Sequence, residues 1–212
     1  MRFIASLVIL ALIASVAYAQ TQHCISKAFI TSSVVVDASK AFDDIERVWF
    51  DATTNKQRTD VEAFSPVRRS VSLYFRHDLQ KGYEYNKITG ECRSFPIGGT
   101  LQPFCLAQNA VLNGTVTIGG SLKCTVWNEN LRGFNVRLVL APNPSFGIPV
   151  NVITKGGRVG TAFQEFFNFQ AYNTLQDQSV FDIPTSCNRA TRSAAEVSEL
   201  ALDVMERHAW LN

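Results

Sequence analysis

The sequence lacks the short motifs that mark common catalytic and metal sites. It has only three histidines, no Cys-x-x-Cys pair and no Gly-x-Ser-x-Gly turn, so neither a zinc site nor a serine hydrolase is indicated. An excess of charge is missing too: the formal net charge is +2, and the charges are scattered. Nucleic-acid-binding proteins usually show a concentrated basic surface. We therefore expect neither an enzyme nor a nucleic-acid partner.

Long apolar runs are absent after the first 19 residues. Residues 1–19 have a short positive start, an apolar stretch over 3–16 and small residues at 17–19, which predicts a cleaved signal peptide. An uncleaved anchor is the alternative. The remaining chain, 20–212, is long enough for one domain with its own core. It is expected to be secreted or lumenal, without a transmembrane segment.

Helical periodicity is rare before residue 192, whereas period-two alternation is frequent. Over 45–64, two alternating stretches flank a polar turn at 53–57, which predicts a hairpin with Val48 and Phe50 facing inward. On its polar face, Asp60 and Glu62 could contribute to a Ca²⁺ site, although an exposed pair of carboxylates is the alternative.

Further alternating segments follow, joined by short turns, and they indicate a meander of antiparallel strands. They lie at 26–36, 70–77, 82–88, around Cys92, and at 112–118, 122–126, 134–140 and 162–171. A helix with phenylalanines four residues apart is the alternative for 162–171. Segment 148–154 contains proline, which predicts an edge strand or an irregular approach.

The chain's last segment has the one clear helical period, over 192–208, so a single amphipathic helix is predicted to cover one face or one open end of the sheet. His208, near its end, is expected to be solvated.

Fifteen phenylalanines could fill a core or line a cavity for an apolar ligand. Five cysteines leave one thiol over, and Asn113 is the acceptor of a glycosylation sequon that should face outward.

The order of several motifs resembles the ependymin-related family of secreted glycoproteins. The matching stretches are VWFDATTNKQR at 48–58, SVSLYF at 70–75, GYEYNKITGEC at 82–92, CTVW at 124–127 and FDIPTSC at 181–187. The similarity spans about 24–187.

The resemblance implies a mainly β fold: an antiparallel β-sandwich of two stacked, curved sheets with a hydrophobic pocket, similar to bacterial lipoprotein carriers. It also implies lipids or other apolar ligands, calcium association, dimers, and an extracellular or lysosomal location. Cys92 and Cys187 align with a family disulfide. Cys105 and Cys124 look like an added pair, and Cys24 is left as the odd thiol, because no cysteine occupies 142–150, where its usual partner would lie.

The leading hypothesis is a secreted protein that binds a lipid or other apolar small molecule between two sheets, with calcium and cell-matrix roles implied by the resemblance. The alternative is a non-catalytic matrix or adhesion protein with a filled core, which acts through the Asn113 glycan and Cys24-linked dimers. The predicted pocket wall consists of inward-facing aromatic and aliphatic side chains: Phe50, Leu73, Phe75, Tyr83, Phe134, Leu138, Phe163 and Phe167.

Overall fold

Eleven antiparallel strands form one open sheet in the computed structural model, which describes residues 24–37, 42–65, 68–131, 133–157, 160–189 and 197–208. The predicted signal peptide, 1–19, lies outside these residues. The strands are β1 (Ala28–Asp37), β2 (Phe42–Asp51), β3 (Lys56–Ser65), β4 (Arg69–Arg76), β5 (Lys81–Asn86), β6 (Cys92–Pro96), β7 (Val111–Ile118), β8 (Leu122–Leu131), β9 (Phe134–Ala141), β10 (Ile148–Gly156) and β11 (Gly160–Tyr172).

The strand order is β6-β5-β4-β3-β2-β1-β11-β10-β9-β8-β7. Every neighbouring pair is consecutive in the chain except β1 and β11, which pair from Ala28↔Tyr172 to Asp37↔Ala162. We call this pairing the seam. It joins the β1–β6 meander to the β7–β11 meander by hydrogen bonds, so the predicted two-sheet sandwich is corrected to a single sheet.

A crossover segment, residues 97–110, connects the two outermost strands, β6 and β7. Its apolar side chains, Leu101, Phe104, Leu106 and Ala110, are buried in one cluster with residues of β1, β2, β8, β9 and β10. A cluster assembled from strands on both sides of the seam requires the sheet to wrap around the segment. We call the wrapped side the concave face and the opposite side the convex face.

Helix α1 (Glu199–Arg207) covers a second part of the concave face. Its Leu200, Ala201 and Val204 are buried in a cluster with Val61, Val71, Leu73, Phe75 and Phe95 from β3, β4 and β6. The hydroxyl of Ser198 caps the helix by accepting from the Ala201 N–H at 3.0 Å. The predicted helix was longer; its residues 192–196 lie outside the described part of the chain. None of the described helices is long and apolar enough to cross a membrane.

The convex face is partly covered by the segment that follows β11. Leu175 and Phe181 pack there against Ala28 and Trp49. The buried Asp51 carboxylate fixes this segment, since it accepts from the Leu175 N–H at 3.0 Å and from nearby hydroxyl and amide groups. These bonds lower the pKa of Asp51, although burial alone would raise it.

β10 is an interior strand between β9 and β11, so the prediction of an edge strand or irregular approach over 148–154 was wrong. The register of β10 against β9 shifts between Pro149 and Asn151. A bulge is one of the places where a sheet tolerates proline, because a residue there can be spared from the ladder of hydrogen bonds.

Two disulfides tie down the connections. Cys92–Cys187 is confirmed, but Cys24 bonds to Cys105, and Cys124 is free and buried. The predicted Cys105–Cys124 pair and the odd thiol at Cys24 were therefore wrong. Cys124 lies in a convex-face cluster with Val126 and Val139, whereas the crossover segment that carries Cys105 packs on the concave face.

Candidate ligand cleft beside a buried ionic network

The concave face of β2 is acidic at the beginning of the strand and apolar toward its end. Asp44 and Glu46 have the same parity as Val48 and Phe50, so all four side chains point toward the interior. The two carboxylates are 1% and 0% exposed as residues, and neighbouring strands add further buried polar groups around them. We call this set the polar band: Ser33, Asp44, Glu46, Gln57, Thr59 and Gln164.

The end of α1 supplies the basic groups that pair with the polar band. Nη2 of Arg207 lies 2.9 Å from Oδ2 of Asp44 and 2.7 Å from Oε1 of Glu46. Nε2 of His208 lies 2.9 Å from Oε2 of Glu46, and its Nδ1 lies 3.2 Å from Nε2 of Gln57. With Nδ1 accepting from the Gln57 amide, Nε2 carries the hydrogen that Glu46 accepts.

The two carboxyl groups of the network differ in their acidity. Burial, together with the negative charge of Glu46, raises the pKa of Asp44 from 3.8 to about 8, although Arg207 opposes the shift. Burial would also raise the pKa of Glu46, but the nearby His208 and Arg207 lower it from 4.5 to about 2. Of the two carboxyl groups, Asp44 is therefore the one that binds a proton more readily, and Glu46 is the one that favours its ionised form.

A cleft of about 390 Å³ opens beside this network, between α1 and the start of the crossover segment. Gln57 and His208 provide polar groups, and Phe75, Ile97 and Met205 provide apolar surface. We call it the α1 cleft. Its volume is within the range of small-molecule sites, which combine apolar walls with a few positioned polar groups.

The structure brings five of the eight predicted wall residues to the concave face, in two separate groups. Phe50 and Leu138 are buried in the cluster around the crossover segment, with Phe134 packed against it. Leu73 and Phe75 are buried beneath α1, and Phe75 also lines the α1 cleft. Most of this surface is already occupied by the chain's own side chains.

Tyr83, Phe163 and Phe167 were placed on the wrong face. Tyr83 pairs with Tyr74, whereas its neighbour Gly82 pairs with the concave residue Phe75. Phe163 and Phe167 are 39% and 40% exposed on the convex face.

The wrong face assignment of Phe163 and Phe167 in β11 has a local cause. The register of β1 against β11 shifts between Ile30 and Ser32, and Asn168 in β11 has φ 55°. This bulge breaks the alternation, so that Phe166 and Phe169 both pack against the interior cluster.

The functional groups that the sequence interpretation missed are Asp44, Glu46 and Gln57 on the sheet and Arg207 and His208 on the helix. His208 was expected to be solvated, but it is 2% exposed. The signal for the carboxylates was present, because Asp44 and Glu46 share the parity of the apolar residues in the same strand. No local pattern indicates that a basic residue more than 150 positions later pairs with them.

The suggested calcium ligands do not form a site. Asp60 binds Arg58 and Lys87, and Glu62 also binds Lys87. Across the ranges that the structure describes, no group of three or more His, Cys, Asp or Glu side chains is arranged to hold a metal ion. Asn113 is exposed in the outermost strand β7, where a glycan would be accessible.

Comparison with known proteins gives a family and a fold. The ependymin family model matches residues 65–187, more than half of the chain. An uncharacterized conserved protein from Thermus thermophilus aligns with a TM-score of 0.54 and 12% identity, over 77% of this chain and 89% of that chain. PNGF-II aligns with a TM-score of 0.36 and 11% identity, over 86% of this chain and 33% of that chain. A comparison with curated protein sequences found no match.

Proposed function

Because the chain belongs to the ependymin family, we propose that it is a secreted, non-catalytic glycoprotein that binds a lipid or other amphiphilic small molecule at the α1 cleft. The family and the two disulfides fit an extracellular protein. Secretion through the signal peptide, or delivery to the lysosomal lumen, belongs to this proposal, as does a glycan on Asn113.

The observation that carries the proposal is the composition of the α1 cleft. An apolar chain could lie against Phe75, Ile97 and Met205, while a polar head reaches Gln57 and His208. Beneath α1, the side chains of Val61, Val71 and Leu73 continue the apolar surface inward. A ligand longer than the cleft would reach this surface by displacing part of α1, so the apolar area that it buries would be offset by the area that Leu200, Ala201 and Val204 lose.

Binding of a neutral fluorescent dye, N-phenylnaphthylamine, tests the proposal directly. The folded protein should bind the dye saturably, and Thr100→Trp should weaken binding by about tenfold or more, because Thr100 lines the cleft and a tryptophan would fill it. Thr117→Trp, on exposed β7, is the matched control and should bind like the wild type.

Native mass spectrometry of the purified protein adds an independent measurement, since a lipid held in the cleft should co-purify. Equal dye binding by both tryptophan variants would contradict the α1 cleft as the site. No saturable dye binding, together with no co-purified lipid, would contradict the proposed function.

The alternative, a matrix or adhesion protein with a filled core, is favoured by a different observation on the convex face. Five neighbouring side chains of β1, β2 and β11 keep more than a third of their surface exposed: Val34, Val36, Ile45, Phe163 and Phe167. We call them the convex patch. In this alternative the patch contacts a second copy of the chain, burying the same surface on both copies. The dimer would not be linked through Cys24, since Cys24 bonds to Cys105.

Sedimentation velocity distinguishes this alternative. The wild-type chain should sediment as a dimer that persists in reducing buffer, and the double variant Val36→Ser/Phe163→Ser should be monomeric. Val116→Ser, a similarly exposed position on β7, should leave the dimer intact. A monomeric wild type at every concentration would exclude the convex patch as a self-association surface.

A further inference from the structure

The sheet presents two buried carboxyl groups that the strands alone do not neutralise. The side chains of Asp44 and Glu46 are both 0% exposed. Among the sheet residues that bond them, Gln164 donates to Oε2 of Glu46 at 3.1 Å. Oδ1 of Asp44 is buried without a hydrogen-bond partner within the described structure. Burying such groups costs free energy unless a cation or further donors accompany them.

The cation comes from α1. The guanidinium of Arg207, 2% exposed, contacts both carboxyl groups with a single nitrogen, Nη2. The same helix places Leu200, Ala201 and Val204 on the apolar surface of β3 and β4. The helix therefore combines a guanidinium with an adjoining apolar surface, which is the chemistry of a cationic amphiphile.

The charge balance of the site disfavours an anionic ligand. A carboxylate head beside Glu46 would add a second negative charge to a site in which one guanidinium already serves two carboxyl groups. Like charges in a weakly screened interior repel strongly. An ammonium or guanidinium head would instead complement the charge of Glu46, as the guanidinium of Arg207 does.

We propose that the concave face of the sheet is a receptor for cationic amphiphiles, an apolar chain ending in an ammonium or guanidinium group, and that α1 is the chain's own occupant of this receptor. The inference rests on the proposed function and specifies its ligand class. The apolar part lies over Val61, Val71, Leu73 and Phe75, and the cation takes the place of Arg207 beside Glu46 and Asp44.

Ligands that share a dodecyl chain and differ only in the head group test the preference. By titration calorimetry below the micelle concentration, dodecylammonium should bind the full chain about tenfold or more tightly than dodecanoate, with dodecanol between them. Glu46→Gln should reduce the preference for the ammonium over dodecanol to less than about threefold. Glu62→Gln, an exposed carboxylate on the convex side, is the matched control and should keep the wild-type preference.

Chemical rescue tests the same site without relying on the affinity of the wild type. Arg207→Met keeps a long apolar side chain but removes the cation, so its thermal midpoint should fall. Added dodecylguanidinium should raise that midpoint saturably, because a ligand that binds only the folded state stabilises it by mass action. Arg76→Met breaks an ion pair with Asp78 that includes neither Asp44 nor Glu46, and the same ligand should raise its midpoint no more than that of the wild type.

The outcomes separate this inference from the proposed function. If dodecanol and dodecanoate bind as tightly as dodecylammonium, the function stands and the cationic preference is wrong. Equal rescue of the Arg207→Met and Arg76→Met variants would also overturn it. If none of the dodecyl ligands binds and no variant is rescued, both the inference and the proposed function are wrong.

Discussion

Two acidic residues on one strand face behave in opposite ways, although they lie two positions apart and share a guanidinium. Glu46 receives bonds from Arg207, His208 and Gln164, and these favour its ionised form. Asp44 receives a bond from Arg207 alone among the contacts resolved for it, so burial dominates and raises its pKa. The number of donors around each oxygen, not the residue type, decides the charge.

The raised pKa of Asp44 predicts a pH-dependent effect of Asp44→Asn. Between 3.8 and about 8 the unfolded wild-type chain releases a proton that the folded chain retains, so its free energy of unfolding falls as pH rises. Asparagine does not titrate, so the Asp44→Asn variant lacks this fall in the free energy of unfolding. The stability of Asp44→Asn relative to wild type should therefore increase across that window, by up to about 1.4 kcal/mol per pH unit.

Urea unfolding at a series of pH values measures this difference. The exposed Glu165→Gln in β11 is the control, because the charge of Glu165 is not among those that shift the pKa of Asp44, and this variant should show the same loss of stability across the window as the wild type. Parallel curves for wild type and Asp44→Asn would show that the buried carboxyl does not titrate as proposed.

At the scale of strands and helices, the sequence predicted what depends on local alternation. The strands near the chain's beginning, the hairpin over 45–64 and the apolar face of Val71, Leu73 and Phe75 are all present. Pairing between distant segments was not predictable in this way. The outer strand of a meander can remain an edge or can pair with a strand of another meander. Here the pairing of β1 with β11 joins the two meanders into one sheet.

The same distinction holds for the candidate site: local alternation predicted the face of some residues, whereas a bulge and a distant ion pair could not be predicted from it. Phe50, Leu73, Phe75 and Leu138 were assigned to the correct face because their strands alternate regularly. Phe163 and Phe167 were not, because the bulge near Asn168 places apolar residues of both parities in contact with the core. Arg207 could not be matched with Glu46, since a tertiary ion pair leaves no periodic signal.

The hairpin of β4 and β5 contains a position that requires glycine for space. A Cβ atom at residue 82 would overlap the ring of Phe95, which packs across β5 from β6. Gly82→Ala should lower the free energy of unfolding by about 1–3 kcal/mol, the usual cost of overpacking. In a Phe95→Leu background the loss should be smaller, because leucine is shorter than the ring.

A double-mutant cycle by urea denaturation gives the coupling between the two positions. Equal losses in both backgrounds would show that Phe95 does not set the requirement. Gly98→Ala, where a Cβ meets nothing within 4 Å, is the control and should change stability little.

At the scale of the whole molecule, the disulfides join parts of the chain that the sheet does not. Cys24–Cys105 fixes the crossover segment to the start of β1 across a separation of 81 residues. Removing it with Cys24→Ser/Cys105→Ser should lower the free energy of unfolding by roughly 4 kcal/mol in the chain-entropy model. Cys124→Ala should be much milder, since Cys124 forms no bridge.

Peptide mapping without reduction checks the pairing itself. It should recover Cys24 with Cys105 and Cys92 with Cys187, and Cys124 should be alkylated only after unfolding, because burial raises the pKa of its thiol. A peptide in which Cys124 is joined to any other cysteine would contradict this assignment.

The position of the seam also determines the order in which the sheet can assemble. Each meander pairs strands that are near in sequence, so both can form by fast, local steps. The seam joins residues 28–37 to residues 162–172, so its closure must bring together segments that are far apart in the chain. We therefore expect the last and slowest pairing to form at the middle of the finished sheet and not at an edge. Until it forms, β1 and β11 each have an unpaired edge, and a second chain could complete the seam in place of the first.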